Sequence, residues 1–352
     1  MAPFSYLGFV WDQLFHSSAL PVAKADLTGK TVIVTGSNVG LGLESARHLA
    51  AMNPAHLILA VRSVDKGEKA KADILKTTNF KGKLEVWQLD LSSFDNVRKF
   101  AERVERECSR LDILLENAGI ASNTWNTTPD NWELTLQTNV LSTTLLALLL
   151  LPLLRRTVKL DPTSTPRLIL VGSEVHFWAK FPEQDTERPL AALNDPSRFQ
   201  GQDRYFISKL LDLIVARKIA SVLRSSTSTE DKKISVYCPN PGFCFSELGR
   251  EDQSWGFYLF QQALARTTEQ GSRTFVWCAA APEAAGAGHD VFQGVGGEKS
   301  SGVFWSECKP REESDWILSE KGQSVSAKVW GEIKEVMWKE GGEEIKDVLK
   351  DF

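Results

Sequence analysis

Short apolar runs alternate along this chain with longer segments whose apolar positions recur every three to four residues. The runs 30–35, 56–61 (HLILAV), 84–89 (LEVWQL), 111–115 (LDILL), 167–172 (RLILVG) and 234–238 (ISVYC) predict strands. Between them, 41–52, 65–77, 94–108, 130–156 and 203–225 predict helices. Strands that are apolar on both faces, each followed by a helix, predict a parallel sheet covered on both sides. The expected class is α/β, one doubly wound sheet with right-handed crossovers.

Two irregular stretches interrupt the alternation. Residues 177–201 are rich in turn formers and aromatics, and 283–301 in glycine and alanine. After them GVFW (302–305) reads as a late strand and 323–338 as a closing helix. The run Leu145–Leu151 is too short to span a bilayer and reads as buried helix. At the N-terminus Phe4, Leu7, Trp11 and Phe15 form one apolar stripe, without the basic segment of a signal peptide. That stripe fits a helix packed on the body, an entrance flap or a helix lying on a membrane surface, so 1–21 is a candidate peripheral membrane contact.

The most informative stretch is TVIVTGSNVGLGLESARHLA, residues 31–50. A strand runs into Gly36, Gly40 and Gly42, and a helix begins at once. A helix N-terminus offers unpaired N–H groups and the positive end of a dipole, and glycines let phosphate oxygens reach the backbone. A nucleotide pyrophosphate is therefore the expected occupant, and strand–turn–helix is the context that reading requires.

The turn Thr35–Gly42 (TGSNVGLG) resembles the T-G-x-x-x-G-x-G turn of the short-chain dehydrogenase/reductase family. In order the chain also carries DLS (Asp90–Ser92), NAG (Asn117–Gly119), TNV (Thr138–Val140), GS (Gly172–Ser173), YFISK (Tyr205–Lys209) and PNPG (Pro239–Gly242). The likeness extends over residues 28 to about 306 and is nearest to the retinol-dehydrogenase-like branch and its fungal relatives. It implies a single Rossmann-like NADP-binding catalytic domain over 28–306, between an apolar extension (1–27) and a helical tail (307–352). It also implies a cytoplasmic or membrane-associated enzyme that is a monomer or a homodimer.

The implied chemistry agrees with the residues. Carbonyl reduction needs a hydride on carbon and a proton on oxygen. Tyr205 is the candidate acid/base, but a free phenol ionises near ~10. Lys209 stands four residues on, on the same helix face, and its ammonium favours the phenolate. Lowering the phenol by ~3 pH units requires roughly 4 kcal/mol, which demands a water-poor site and cofactor charge as well as the lysine. Ser173 is the candidate holder of the substrate oxygen. The resemblance makes Asn139 a water-holding kink that links Lys209 to solvent.

For the cofactor, the candidate contacts are Gly36, Ser37, Asn38, Gly40, Leu41 and Gly42 at the turn. The resemblance adds Asp90 and Leu91 at the adenine, Asn117, Ala118 and Gly119 on the ribose side, Tyr205 and Lys209, and Pro241, Gly242 and Ser246 at the nicotinamide. The second strand ends in Ala60-Val61-Arg62-Ser63, without the carboxylate that would hold a ribose 2′-hydroxyl. Arg62 and Lys66 can instead pair with a 2′-phosphate, so NADP(H) is the expected cofactor. Two positions depart from the family pattern: Glu116 precedes Asn117 where many members have asparagine, and Ser246 replaces a threonine.

Composition adds limits. The 352 residues are 42% hydrophobic and 24% charged, with net charge −4 and no Lys/Arg block, so nothing points to nucleic acid. The five cysteines and five histidines show no metal-ligand spacing. The aromatic residues Phe177, Trp178, Phe181, Phe243, Phe245, Trp255, Phe257 and Tyr258 read either as the lining of an apolar substrate site or as core. His176 reads as a pocket residue or a solvated loop residue. The expected activity is NADP(H)-dependent alcohol/carbonyl interconversion on a small apolar molecule, of the secondary-metabolite (polyketide or terpenoid) kind. The alternatives are a non-redox isomerisation, dehydration or condensation using Tyr205, and an NADP-binding protein without activity.

Overall fold

A computed structural model of the chain describes residues 20–245, 265–281, 292–293, 299–300 and 303–352. The N-terminal stripe, Ser246, Trp255, Phe257, Tyr258 and most of the stretch 283–301 lie outside the described residues.

The first half alternates as expected: β1 (Thr31–Thr35), α1 (Gly40–Ala51), β2 (His56–Val61), α2 (Val64–Thr77), β3 (Lys83–Gln88), α3 (Phe94–Glu107) and β4 (Ile113–Glu116). The long apolar helix α4 follows (Leu134–Leu160), then β5 (Arg167–Leu170), the short α5 (Pro189–Leu193), α6 (Gly201–Ser225) and β6 (Ser235–Asn240). The rest is α7 (Thr268–Ala280), β7 (Phe304–Ser306), β8 (Lys309–Pro310), α8 (Asp315–Leu318), α9 (Glu320–Glu340) and α10 (Gly342–Leu349).

The sheet order is β8-β7-β6-β5-β4-β1-β2-β3, parallel throughout except for the antiparallel edge strand β8. Strands β1, β4, β5 and β6 are buried along their whole length and β2 from Leu57 on, which is why the strands read as unbroken apolar runs. Alternate residues serve two cores. Leu114, Leu168 and Val236 face α3, α4 and α6, whereas Ile113, Leu115 and Ile169 face α1, α2 and α7.

Helix α7 has no counterpart among the expected elements. Its start is marked by a capping box, with Thr267 and Gln270 bonding each other's backbone N–H groups. Gly271 inside it masks the helical pattern, and it is there for contact: a Cβ would come 2.8 Å from Leu41 and 3.0 Å from Cys244. Helix α4 has an 18-residue window apolar enough to cross a membrane, yet 89% of that window is buried inside the protein. Its length reflects core packing. All five cysteines are free and buried.

The C-terminal helices share the main core. Val329, Ile333 and Met337 of α9, with Ile345 and Leu349 of α10, pack on the cluster built by α4 and α6. Glu332 joins α9 to the body: its carboxylate accepts hydrogen bonds from the Leu190 and Ala191 N–H groups at the start of α5 (3.0 and 2.9 Å). Removing it leaves the buried Leu190 N–H unsatisfied, which costs about 1–3 kcal/mol. Glu332→Ala should therefore lower the urea midpoint at unchanged slope, and Glu332→Gln, which keeps one acceptor oxygen, should lower it less. A midpoint unmoved in the alanine variant would contradict this role.

Candidate active site

The sheet order reverses between β1 and β4, where one strand feeds a helix on one face and the other a helix on the opposite face. A crevice opens at the C-terminal strand ends there, the usual ligand position in such sheets. It is a cleft of about 410 Å³ lined by Gly36, Asn38 and Leu41 of the glycine turn, Arg62 after β2, Asp90 and Leu91 after β3, and Asn117 to Gly119 after β4.

The turn is shaped by its glycines. Gly36 and Gly40 have φ of +64° and +62°, a region costly for residues with a Cβ. At Gly42 a Cβ would lie 2.4 Å from both the Gly36 carbonyl and the Asn117 amide, so only glycine lets α1 start so close to β1. The N-cap of α1 is Val39, which makes no side-chain cap, and the first turn carries no acidic residue. The helix N-terminus is thus left open to an external anion. Ser37 is buried, and its hydroxyl turns back to the Val34 carbonyl (2.9 Å). Asn117 does more than line a ribose site: its amide donates to the carbonyls of Thr35 (3.0 Å) and Gly36 (3.3 Å). One Asp90 oxygen accepts from the Ser92 N–H and hydroxyl (2.9 and 2.7 Å).

Arg62 is exposed on the cleft and makes no ion pair among the described residues. Lys66, in the first turn of α2, is exposed and outside the cleft lining. Pro241 and Gly242 also stand apart from that lining. They are joined to the Ser173 segment through Asn240, whose side-chain oxygen accepts from the Glu174 and Gly242 N–H groups (3.0 and 3.1 Å). Asn240 was not singled out from the sequence, although it sits inside PNPG.

Tyr205, Lys209 and Ser173 come together. Ser173 and Lys209 both act on the Tyr205 phenol, and the Lys209 ammonium lies 6.0 Å from the Tyr205 ring centre. Lys209 is buried and bonds the Val171 carbonyl (2.8 Å) and Asp212 (2.9 Å). Asp212 was missed in the sequence; its signal is the spacing Tyr-x₃-Lys-x₂-Asp, which keeps all three on one helix face. Asn139 sits inside a π turn (Gln137–Leu141) of α4. Its amide exchanges both hydrogen bonds with the Ile120 backbone (2.8 and 2.9 Å) and donates to Ser208 (2.9 Å). The extra residue of a π turn is the kind of local kink expected at this position.

Two open readings are settled. His176 is not a solvated loop residue: it is buried between Phe177 and Phe304, bonded to the Ser173 carbonyl (2.7 Å), and burial pulls its pKa down to about 4. Phe181 belongs to the core against Trp316. Glu116, where the sequence departs from the family pattern, is buried and makes no side-chain hydrogen bond through Oε1. Among the described residues no three metal-ligating side chains gather.

The electrostatics of Tyr205 show what the chain supplies without cofactor. Desolvation raises its pKa, and although Lys209 and Ser173 pull it down, the net direction is upward. The chain's own residues do not make Tyr205 a ready phenolate.

Comparison with known proteins follows the same outline. Residues 30–174 match the family model for short chain dehydrogenases. The short chain dehydrogenase/reductase dmxR8 of a Cryptosporiopsis species is 40% identical over 332 residues, covering 93% of this chain and 95% of the relative. The short-chain dehydrogenase anuD of Penicillium roqueforti is 36% identical over 343 residues, covering 96% and 84%. Among solved structures, an uncharacterised protein from Mycobacterium paratuberculosis superposes with TM-score 0.62 at 24% identity, over 91% of this chain and 96% of that one. The RhlG/NADP active-site complex of Pseudomonas aeruginosa gives 0.55 at 23% identity, over 74% and 94%.

In the cofactor-free protein, Tyr205 should contribute no tyrosinate absorbance below its ordinary value of about 10. The difference between wild-type and Tyr205→Phe alkaline titrations isolates it from the other three tyrosines. A tyrosinate signal from Tyr205 well below that pH would overturn the upward shift.

Proposed function

Because the chain belongs to the short-chain dehydrogenase/reductase family, we propose that it interconverts an alcohol and a ketone or aldehyde using NADP(H), with Tyr205 as acid/base. The observation that carries this is the contact of Ser173, Tyr205 and Lys209 beside a cleft that suits a dinucleotide. The uncapped N-terminus of α1, the open space beside Gly40 and the cleft-lining Gly36, Asn38 and Leu41 fit the pyrophosphate, with Ser37 and Gly42 shaping the turn from behind. Asp90, Leu91, Asn117, Ala118 and Gly119 would line the adenosine and ribose side, and Pro241, Gly242 and Ser246 the nicotinamide end.

When bound, the nicotinamide supplies or accepts the hydride. In reduction the Tyr205 hydroxyl donates its proton to the substrate oxygen, which Ser173 holds by a second hydrogen bond. Lys209 offsets the negative charge left on Tyr205. In oxidation the same proton moves back from the alcohol to Tyr205. Asn139 keeps α4 kinked beside Ser208 and Ile120, the position from which a water would reach Lys209.

Arg62 supports NADP(H) over NAD(H): it is an exposed guanidinium on the cleft after β2, free to pair bidentately with a 2′-phosphate. Lys66 would add charge from the first turn of α2. The substrate is proposed to be apolar and bulky, of the polyketide or terpenoid kind. Trp178 is 39% exposed beside Phe206, next to Tyr205. A panel of apolar ketones and alcohols, followed by NADPH absorbance, tests the whole reading. Product formed without an absorbance change would replace it with a non-redox use of Tyr205.

Two substitutions test its parts. Arg62→Ala should weaken NADPH binding at least about tenfold more than NADH binding, since a charge-assisted bond is worth about 1.5–3 kcal/mol; equal loss for both would remove Arg62 from cofactor choice. Tyr205→Phe keeps the ring and deletes the proton, so turnover should fall ~10²–10⁴-fold with NADPH affinity nearly unchanged. Near-normal turnover in that variant would rule out Tyr205 as the acid/base.

A further inference from the structure

The Lys209 ammonium has three donors. Two are committed inside the protein, to the Val171 carbonyl at 2.8 Å and to Asp212 Oδ2 at 2.9 Å. The lysine and the aspartate are both buried, so this is an ion pair withdrawn from water. Val171 is itself held, its N–H donating to the Glu116 carbonyl at 3.0 Å. On the cleft side Gly119 approaches so closely that a Cβ there would lie 3.8 Å from Nζ. The third donor is left for the side where Tyr205 stands.

Glu116 completes the group. Leu114 faces α6 from β4, and strand alternation puts Glu116 on that same face. Its carboxyl is buried with Oε1 unpartnered. Burial, and then the nearby Asp212, push Glu116 well above the usual carboxylate range, which makes it the neutral acid. Burial raises Asp212 to about 6 against the pull of Lys209, so near neutral pH it carries the charge. The other titratable groups close to the pair are Tyr205 and the Cys238 thiol of β6, which burial keeps neutral. Glu313, which acts on Cys238, is paired with Arg217.

We propose that Asp212 is a positioning residue acting through Lys209: its carboxylate, bonded to the ammonium at 2.9 Å, keeps it charged and aimed at Tyr205. The effect on turnover rests on the oxidoreductase reading above; the effect on Lys209 does not.

The test uses full-length protein carrying lysine labelled with ¹³C at Cε, the Lys209 resonance being assigned by its loss in Lys209→Arg. In the wild type Lys209 should remain protonated beyond the ordinary lysine value of about 10.4. In Asp212→Asn, burial acts without its opposing charge, and Lys209 should titrate at least about one pH unit lower. Asp212→Ser removes the same charge if the amide variant does not fold, and Asp212→Glu should restore the wild-type titration. Glu116→Gln should leave the Lys209 titration where it is. With a true substrate, Asp212→Asn should lower kcat for alcohol oxidation at least about tenfold with little change in KM, and should add a falling alkaline limb as Lys209 loses its proton. A merely structural role would reduce the rate without adding that limb. Lys209 titrating at the wild-type pH in both neutral variants overturns the anchoring by Asp212. A titration displaced by Glu116→Gln overturns the neutral-acid assignment. If the wild type turns over no alcohol or ketone, the oxidoreductase reading fails while the Lys209 titration still judges Asp212.

Discussion

One carboxamide holds open the place where this sheet parts. Beyond β1 and β4 the chain leaves toward opposite faces, and the last carbonyls of β1 lose the neighbouring strand that would have bonded them. Asn117 supplies the missing donor to Thr35 and Gly36, and the Thr35 hydroxyl accepts from the Ala118 N–H (2.9 Å) in return. Buried backbone groups must be satisfied somewhere, so this exchange lets the strands diverge without orphaned carbonyls. It also sets the height of the glycine turn, because the same amide fills the space a Cβ on Gly42 would need. The start of α1, the floor of the cleft and the course of the chain toward Gly119 all follow from it.

The opposite wall of the site is costly in another way. Lys209, Asp212 and Glu116 bring three ionisable groups into the buried interior beside the apolar core. Desolvating an ion pair offsets most of its attraction, whereas breaking one by removing a partner costs about 3–5 kcal/mol. Such a group adds little net stability and makes the fold depend on its staying complete. The packing of α9 and α10 over α4 and α6 adds apolar burial around the helices that bear this load. The site and the C-terminal helices are in this sense one structural problem.

Much of this was legible in the sequence because period and motif agree. Strands buried on both faces leave unbroken apolar runs, so all six expected strands recur within a few residues of their observed bounds. The cleft residues around Gly36, Asp90 and Asn117 follow from motifs placed at strand ends. What escaped depends on contacts between segments far apart in the chain. Helix α7 carries a glycine for close packing on α1, which lowers its helical signal. Asp212 looks like one more polar residue on a helix until Lys209 is seen to be buried. His176 was misjudged because a histidine in a turn-rich stretch reads as solvated, while the ring of distant Phe304, with that of the adjacent Phe177, encloses it here. The upward shift of Tyr205 has the same origin: sequence spacing shows the attraction of Lys209 but not the desolvation that outweighs it.

That balance gives the proposed chemistry a direction-dependent character. A phenol whose pKa is raised is protonated at rest, which is the state needed to deliver a proton to a carbonyl oxygen. Reduction can then begin with Tyr205 as it stands. Oxidation needs the phenolate, and among the described residues Lys209 is the one cation acting on it, its attraction partly cancelled by Asp212. Further positive charge must come from what occupies the cleft, and an oxidised nicotinamide carries it. The protein's own electrostatics thus favour the acid form of Tyr205, and in the proposed chemistry its base form would depend on charge brought by the cofactor. Substituting Asp212 perturbs both sides of that arrangement at once, because the carboxylate opposes the phenolate directly while sustaining the ammonium that stabilises it.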